Sequence, residues 1–293
     1  MIRRIAALSC AIGLVGFYVV AHAPRVSAQL TAAKDGPVVY GHHHLNVTNV
    51  EAQKKFFVDT LGGKAIKIGT NNTEVIQFPN VLVFFRQQAP TGGTRGTTVN
   101  HIGFSVPNLR QAVTKVKADG YKMITTTEVV PGREVKDDIA APSTPGGSQV
   151  AFALGPDDVK VELVEVKTQT MPIALHHVHF FNPKNTDMQA WYVKVFGGTA
   201  GTGGGGAFVT DTLPGVALNF SPSPDPVVGT QGRALDHVGF EVKNLEEFCK
   251  KLEAQGIKLE RPYTKVAPLG IAIAFIRDPW GTYIELTEGL DKV

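Results

Sequence analysis

Asn100-His-Ile-Gly-Phe-Ser-Val106 is the stretch that decides the fold, because the chain contains a second copy of it. That copy, Asp236-His-Val-Gly-Phe-Glu-Val242, begins 136 residues later. After each copy comes a stretch with helical spacing of apolar residues, ended by Gly120 in one case and Gly256 in the other. Self-similarity at a fixed offset is the signature of a repeated structural unit. The sequence therefore predicts a fold assembled from copies of one module.

A looser repeat precedes each of these stretches. Gly41-His-His-His-Leu-Asn-Val47 resembles His176-His-Val-His-Phe-Phe-Asn182, and each leads to an aromatic pair and then to a double glycine. Aligned on the double glycine, His177 lies 135 residues after His42, so the two halves keep nearly the same register. We predict four modules, at roughly 40–88, 98–168, 174–222 and 234–289.

Each module has the pattern of a βαβββ unit. A short alternating strand comes first, and a helix with apolar residues at positions i, i+3, i+4 and i+7 follows, as at Leu245, Phe248, Cys249 and Leu252. Glycine after the helix is the usual C-cap, and further short strands complete the unit. We expect an α+β fold in which the modules pair into two domains, 38–168 and 172–290, each an open mixed-sheet barrel with helices outside.

Strand parity places histidines on the sheet face away from the helices. Val238 and Phe240 share the face that packs, and His237 shares the other, because successive side chains of a strand alternate between faces. The same test applied to the other strands gives each half two histidines and one glutamate on its open face. The predicted trios are His42, His101 and Glu162 in the first half and His177, His237 and Glu285 in the second.

Two imidazoles and a carboxylate that converge form a facial triad, which leaves coordination positions free for substrate or oxygen. The alternative is that these are solvent-facing polar residues of half-exposed sheets. Because the trio is repeated in both halves, we favour a divalent metal, and Zn²⁺, Mn²⁺ or Fe²⁺ could each occupy the site.

Other polar residues are candidates for catalysis. His44 and His179 share the ligand face, two residues after the first histidine of each trio, so each is a candidate proton shuttle, alternative ligand or polar neighbour. His43 and His176 have the packing parity. Tyr263 is a candidate catalytic residue that could orient an anionic or phenolic substrate, or an ordinary surface residue, as are Tyr283, Arg133 and Arg277.

These motifs resemble the vicinal oxygen chelate superfamily, which includes glyoxalase I, extradiol dioxygenases and bleomycin-resistance proteins. Arg277-Asp-Pro-Trp-Gly-Thr-Tyr-Ile-Glu-Leu286 is similar to the terminal strand of that family, and the first-strand histidine motifs match as a set. The resemblance covers nearly all of the chain after residue 38. It implies first ligands at His42 and His177, second ligands at His101 and His237, and glutamate ligands at Glu162 and Glu285.

The resemblance also implies a function. The family's glyoxalase-like members use a fourth ligand at positions that align here with Phe84 and Asn219. Phenylalanine cannot bind a metal, so the first half looks extradiol-like. We expect a metal-dependent enzyme acting on a small substrate chelated through vicinal oxygens. An extradiol-type dioxygenase is the specific hypothesis, and with it Fe²⁺ or Mn²⁺ is the favoured metal. A glyoxalase-like lyase or isomerase using Zn²⁺ or Ni²⁺ and a non-catalytic, resistance-type binding protein are the alternatives.

Composition argues against a nucleic-acid-binding protein, and the N-terminus indicates an exported one. Charged residues make up 19% of the chain, the formal net charge is +3, and there is no basic stripe with interleaved aromatic residues, which argues against nucleic-acid binding. Arg3 and Arg4 precede an apolar stretch and a small-residue cleavage site, Val26-Ser27-Ala28. Residues 1–28 are therefore predicted to be a signal peptide, which makes the protein periplasmic or secreted and free of the membrane after cleavage. An uncleaved anchor is the alternative, and a homodimer is left open.

Overall fold

The computed structural model describes residues 30–33, 38–129 and 132–292. The predicted signal peptide, residues 1–28, lies outside these residues. Within the described ranges, no helix combines the length and the apolar character that crossing a bilayer requires.

Among the described residues, those in strands are about twice as abundant as those in helices. The eighteen strands are β1 (Val39–Val47), β2 (Lys64–Ile68), β3 (Thr73–Phe78), β4 (Val81–Gln87), β5 (Val99–Val106), β6 (Lys122–Met123), β7 (Val135–Lys136), β8 (Ile139–Ala140), β9 (Val150–Leu154), β10 (Lys160–Glu165), β11 (Ala174–Phe181), β12 (Thr199–Gly203), β13 (Phe208–Leu213), β14 (Val216–Ser221), β15 (Leu235–Glu241), β16 (Leu259–Val266), β17 (Ile271–Arg277) and β18 (Tyr283–Glu288). The helices are α1 (Val50–Lys54), which continues as a π-helical segment Lys55–Thr60, α2 (Leu109–Ala118), α3 (Thr125–Glu128), α4 (Asn185–Phe196) and α5 (Leu245–Ala254), with 3₁₀ turns at Pro156–Asp158 and Leu290–Lys292.

Local sequence explains how the helices start and stop. Asn49 and Asn108 cap α1 and α2, each accepting a hydrogen bond at 3.0 Å from a backbone N–H three residues on. Gly120 and Gly256 follow α2 and α5 with φ of 87° and 80°, a left-handed conformation that glycine adopts at little cost. The glycine stops predicted from the repeat are confirmed.

The strands form two open mixed sheets. An eight-stranded sheet has the order β16-β17-β18-β15-β1-β4-β3-β2, and a ten-stranded sheet has the order β12-β13-β14-β11-β5-β10-β9-β8-β7, with β6 paired to β9. This confirms the predicted α+β class with two open mixed sheets built from four βαβββ modules, although neither sheet closes into a barrel.

The sequence had suggested that the modules pair within each half of the chain. In the structure they pair across the halves instead. β1 pairs antiparallel with β15, so the first module shares the eight-stranded sheet with the fourth. β5 pairs antiparallel with β11, so the second and third modules share the ten-stranded sheet. The predicted boundary between 38–168 and 172–290 therefore separates strands that belong to one sheet.

Two linkers between the sheets explain this arrangement. The chain leaves the eight-stranded sheet after β4 and returns to it before β15, and the two crossing segments run side by side. They are joined by backbone hydrogen bonds of 2.9 Å from Thr91 to Gly232 and from Ala234 to Gly92. Both linkers are thus used to change sheets, whereas the connection from β10 to β11 stays within one sheet.

One hydrophobic core joins the two sheets. It contains the side chains predicted to pack, such as Phe104, Val238 and Phe240, which confirms the strand parity. The rings of Phe78 from one sheet and Phe104 from the other lie 4.7 Å apart, and Phe196 of α4 stacks on Phe240 of β15 at 4.4 Å. The opposite face of each sheet carries a separate, smaller cluster of apolar residues. The histidines of the predicted trios lie on those faces.

Candidate metal sites

Three adjacent strands of the eight-stranded sheet bring together what we call the Glu285 site. His42 comes from β1, His237 from β15 and Glu285 from β18. Glu285 Oε2 lies 3.0 Å from His42 Nε2 and 2.9 Å from His237 Nε2. All three side chains are buried. Ligands that each lie about 2.0–2.2 Å from one ion have mutual distances of this size, so the three residues fit a divalent cation.

The ten-stranded sheet carries the matching Glu162 site. Glu162 Oε2 of β10 lies 2.8 Å from His101 Nε2 of β5 and 3.1 Å from His177 Nε2 of β11. The two imidazole nitrogens are 3.3 Å apart. A fourth residue, His179, has a nitrogen within 4.8 Å of the ligand atoms of the other three. This donor set also fits a divalent cation.

The predicted trios are wrong in their grouping, although all six residues lie in one of the two clusters. His42 was expected to meet His101 and Glu162, but it lies with His237 and Glu285, and His177 makes the reciprocal exchange. The cause is the strand order, since β1 is hydrogen-bonded to β15 and β11 to β5. Each site therefore takes one histidine from one half of the chain and a histidine and glutamate from the other.

A glycine beside each site makes room for a ligand. A Cβ atom on Gly239 would overlap the ring of His42, and one on Gly103 would overlap the ring of His177. These are the glycines of the repeated His-x-Gly-Phe motif that opens β5 and β15. The motif thus supplies one ligand and, two residues on, the space for a second.

Hydrogen bonds at Nδ1 set the tautomer of one histidine in each site. His237 Nδ1 lies 2.7 Å from Asp236 Oδ1, and Asp236 Oδ2 accepts hydrogen bonds from Asn46 Nδ2 and the Gly232 backbone N–H. Metal-binding histidines commonly donate their second N–H to a carboxylate in this way, which leaves the Nε2 lone pair for the ion. The sequence-based reasoning missed Asp236, although it directly precedes the predicted ligand.

The equivalent hydrogen bond in the Glu162 site is made by an amide. His101 Nδ1 lies 2.9 Å from Asn100 Oδ1, and the buried Lys160 also donates to that oxygen at 2.7 Å. Lys160 Nζ lies 2.6 Å from Glu128 Oε2. In the Glu285 site, a second carboxylate, that of Asp236, is hydrogen-bonded to a ligand histidine. In the Glu162 site, the amide of Asn100 takes that position, next to the ion pair of Lys160 and Glu128.

The electrostatics keep both glutamates ionised. Burial would raise the pKa of Glu285, but His42 and His237 hold it well below its usual value, and His177 and His101 do the same to the pKa of Glu162. Burial lowers the pKa of His101 to about 3, so that this imidazole is neutral at physiological pH. At the Glu162 site, this anionic carboxylate beside a neutral imidazole is the protonation state that metal binding needs. At the Glu285 site, burial lowers the pKa of His237, but Asp236 and Glu285 raise it by more, so an ion would have to displace a more strongly held proton there.

The family's fourth ligand position is occupied differently in the two sites. Phe84 lies in the Glu285 site, with its ring 5.2 Å from that of His42. The sequence had placed Phe84 with His101 and Glu162, which is corrected by the same strand order. Asn219 lies beside His179 across β11 and β14, within the Glu162 sheet.

The remaining candidates are divided between the two faces. His44 lies next to the Glu285 site, where its ring stacks on Phe84 and lies 4.5 Å from that of His237. Tyr263 packs against the shared hydrophobic core, so its contacts lie on the face opposite the metal-binding residues. Tyr263 is therefore not grouped with the candidate ligands, and the sequence pattern could not fix its face because the register of β16 is irregular.

The Glu285 site opens into a cavity of about 120 Å³. Besides His42, His44, Glu285 and Thr287, its walls are apolar: Phe84, Val266, Leu269, Ile271, Ile273 and Leu290. Two hairpin tips meet beside it, since the Thr70 backbone N–H donates to the Pro268 carbonyl at 2.7 Å. A larger cavity of about 980 Å³ lies at the end of the π-helical segment and α2, and it contains none of the metal-binding residues. We regard the smaller cavity as the one connected to the chemistry.

Comparison with known proteins identifies the class. The family model of the Glyoxalase/Bleomycin resistance protein/Dioxygenase superfamily matches residues 39–163 and 174–286, and the chain belongs to this family. Glyoxalase I from Zea mays has a similar structure, with a TM-score of 0.63 at 16% identity over 87% of this chain and 93% of that one.

A putative dioxygenase from Bacillus subtilis has a TM-score of 0.60 at 13% identity, covering 88% of this chain and 86% of the other. At these identities both similarities define the fold alone. No curated protein sequence matches the chain significantly.

Proposed function

We propose that the protein is a metal-dependent enzyme that acts on a small substrate through two adjacent oxygen atoms, with the Glu285 site as its catalytic centre. The reaction we favour is extradiol-type ring cleavage by molecular oxygen. The observation that carries this proposal is a site of three protein ligands that has Phe84, a side chain unable to bind metal, at the family's fourth position. Three ligands leave three positions of an octahedral ion open, enough for two substrate oxygens and dioxygen.

The chemistry of the ligands favours Fe²⁺ or Mn²⁺. Two histidines and one carboxylate with open positions are the donor set of non-haem iron oxygenases. An ion held there would supply a Lewis acid that acidifies a substrate hydroxyl and, if it is redox-active, a means of activating oxygen. The chain itself positions the three ligands, keeps Glu285 ionised and provides an apolar wall that excludes water.

The cavity defines the class of substrate. Its volume of about 120 Å³ is comparable with cavities that hold a single benzene ring. Among the residues that the structure describes, no lysine or arginine lines it, and Ile271, Ile273 and Leu269 form one wall. Such a space favours a neutral, single-ring diol, and it disfavours a large anionic thiol conjugate. His44, a cavity residue stacked on Phe84, is placed to hydrogen-bond a substrate hydroxyl.

The proposal is tested by purifying the protein without oxygen and measuring its metal content and its oxygen consumption with catechols. We expect iron or manganese, one dioxygen consumed per substrate, and the visible absorbance of a ring-opened product. Zinc or nickel with isomerisation of a hemithioacetal would replace the proposal by a glyoxalase-like activity. Tight binding of a catechol without any turnover would replace it by a binding protein.

A variant of the cavity sharpens this test. Ile273→Phe places a ring in the cavity without removing a ligand, so turnover should fall by more than about tenfold while the metal content stays the same. Val228→Phe adds a ring at an exposed position and serves as the matched control. Unchanged turnover in Ile273→Phe would place the substrate elsewhere.

We also propose that the protein is exported and that its signal peptide is removed after Ala28. Arg3, Arg4 and the apolar stretch that follows support this assignment. N-terminal sequencing of the native protein should give Gln29 as the first residue. A cytoplasmic chain that still begins at Met1 would contradict it.

A further inference from the structure

His179 is placed differently from its counterpart His44. It lies on β11 two residues after His177, so both side chains point to the same face of the sheet. It is 8% exposed, and one of its nitrogens lies within 4.8 Å of the ligand atoms of His101, Glu162 and His177. Among the described residues, the corresponding cluster around Glu285 contains three members and does not include His44.

The hydrogen bonds of His179 leave one nitrogen without a partner. Nε2 lies 2.8 Å from Ser221 Oγ, whereas Nδ1 is buried and, within the described part of the chain, has no hydrogen-bond partner. If Ser221 accepts a hydrogen bond from Nε2–H, the lone pair of Nδ1 is free. Buried polar atoms are normally satisfied, so an unpaired nitrogen on a buried ring that lies among three candidate ligands points to an ion.

Strand register explains why only one site has this arrangement. On β14, Asn219 and Ser221 lie beside β11, and the small polar Ser221 can hold the His179 ring edge-on. On β4, Phe84 and Arg86 occupy the equivalent positions beside β1. There the ring of His44 is stacked on Phe84, with an interplanar angle of 15°. One histidine is thus held by a hydrogen bond at its edge and the other by contact with its face.

Aromatic rings surround the Glu162 site. Phe152 lies 5.4 Å from the His101 ring, and Phe181 and Phe208 lie 5.0 and 5.2 Å from the His179 ring. Phe152 is buried, and Phe181 and Phe208 are half-buried. An apolar shell of this kind lowers the local dielectric and favours the binding of an ion by charged and polar ligands.

We propose that His179 Nδ1 is a fourth protein ligand, which makes the Glu162 site a closed centre for Zn²⁺ with three histidines and one glutamate. Four nitrogen and oxygen donors complete a tetrahedron around zinc, as in sites that stabilise a fold and bind no substrate. The distances between Glu162, His101 and His177, from 2.8 to 3.3 Å, are close to the edges of such a tetrahedron. The chain would then carry two different metal sites, and this inference does not depend on the reaction assigned to Glu285.

The test uses cobalt as a spectroscopic replacement for zinc. The full chain carrying Glu285→Ala is stripped of metal and loaded with one equivalent of Co²⁺, so that the ion occupies the Glu162 site. We expect the intense visible bands of four-coordinate cobalt. Weak bands typical of six-coordinate cobalt, or no binding at all, would overturn the proposal while leaving the function proposed for the Glu285 site untouched.

Two substitutions then examine His179 directly. His179→Ala should remove the intense bands and weaken zinc binding by more than about 100-fold, beyond the effect of losing an outer hydrogen bond. His179→Cys should add a thiolate-to-cobalt charge-transfer band, which requires residue 179 to touch the ion. His44→Ala in the same background is the matched control and should leave the spectrum unchanged. Parent-like spectra and affinity in His179→Ala, or the absence of the new band in a folded His179→Cys, would overturn the assignment.

Discussion

Glu285 Oε2 lies 3.0 Å from Nε2 of His42, a residue 243 positions earlier in the chain. The contact crosses the β1–β15 boundary, where the first and last modules meet. Each candidate metal site is therefore a product of both halves of the chain, and we expect mutations in different halves to act on the same ion.

Metal stoichiometry can check this pairing. We expect two ions per chain, and His42→Ala, like Glu285→Ala, should remove one of them by deleting one of three ligands. The double variant should lose no more than either single variant, because both residues hold the same ion. Combining His42→Ala with Glu162→Ala should remove both ions. Mass-spectrometric metal analysis of the purified variants gives the counts, and a single remaining ion in that last combination would contradict the pairing.

Gly239 should be as important to the Glu285 site as a ligand. Gly239→Ala places a methyl group inside the space of the His42 ring, so the ring must move and metal affinity should fall by at least about tenfold. Gly41→Ala adds the same group to the neighbouring strand, where its nearest atom is 3.4 Å away, and should bind metal normally. Isothermal titration with Mn²⁺ measures both. Equal affinities would show that the ring can relax without cost.

Glu241 should make the protein less stable as the pH rises. It is 1% exposed, and burial raises its pKa from 4.5 to about 7, although Thr287 and two backbone N–H groups donate hydrogen bonds to it. A raised folded-state pKa means that protonation favours folding. The protonated Glu241 makes its full contribution to the free energy of unfolding below pH 4.5. This contribution is lost as the pH rises through 7, by at most about 3 kcal/mol.

Urea denaturation at pH 5, 6, 7 and 8 tests this dependence. Glu241→Gln should flatten the profile, because the amide does not ionise. Glu247→Gln changes an exposed carboxylate of α5 and should leave the slope as it was. A slope that persists in Glu241→Gln would assign it to another group.

Phe240 should be central to the stability of the whole chain. Its ring is fully buried, stacks on Phe196 at 4.4 Å and meets Tyr40 edge-on at 5.4 Å, so it joins three modules. Phe240→Ala should cost about 3–5 kcal/mol of unfolding free energy. Val228→Ala, at a 52% exposed position, should cost less than about 0.5 kcal/mol. Denaturant titration measures both, and a cost near that of the control would mean that the core repacks.

Strand alternation explains why the residues of the two candidate sites could be predicted. A histidine between Asn100 and Ile102 must face away from the core once Ile102 and Phe104 pack, and the repeat applies the same reasoning to His237. Parity depends only on the neighbours of a residue along one strand. It therefore identified six residues that lie in the two sites.

The grouping of these residues could not be predicted in the same way. β1 and β11 begin copies of one module, so each offers β5 or β15 nearly the same edge and the same pattern of side chains. The choice depends on how the segments around Gly92 and Gly232 cross, which is a long-range property. The cavity wall was missed for the same reason, because Ile271 and Ile273 reach His42 only across the exchanged sheet.

The exchanged pairing of β1 with β15 also governs when the protein can fold. On the ribosome, β1 emerges almost two hundred residues before its antiparallel partner, so the first module waits with an open strand edge until nearly all of the chain has been made. Closing so long a loop late in synthesis slows folding, and an unpaired edge invites association with other chains. The middle two modules can assemble first, as they are contiguous in sequence, and they then provide the surface on which the outer two meet. A fragment ending at residue 168 would lack β15 and β11, the native partners of β1 and β5, so its two open edges would pair with each other, either within one fragment or between two.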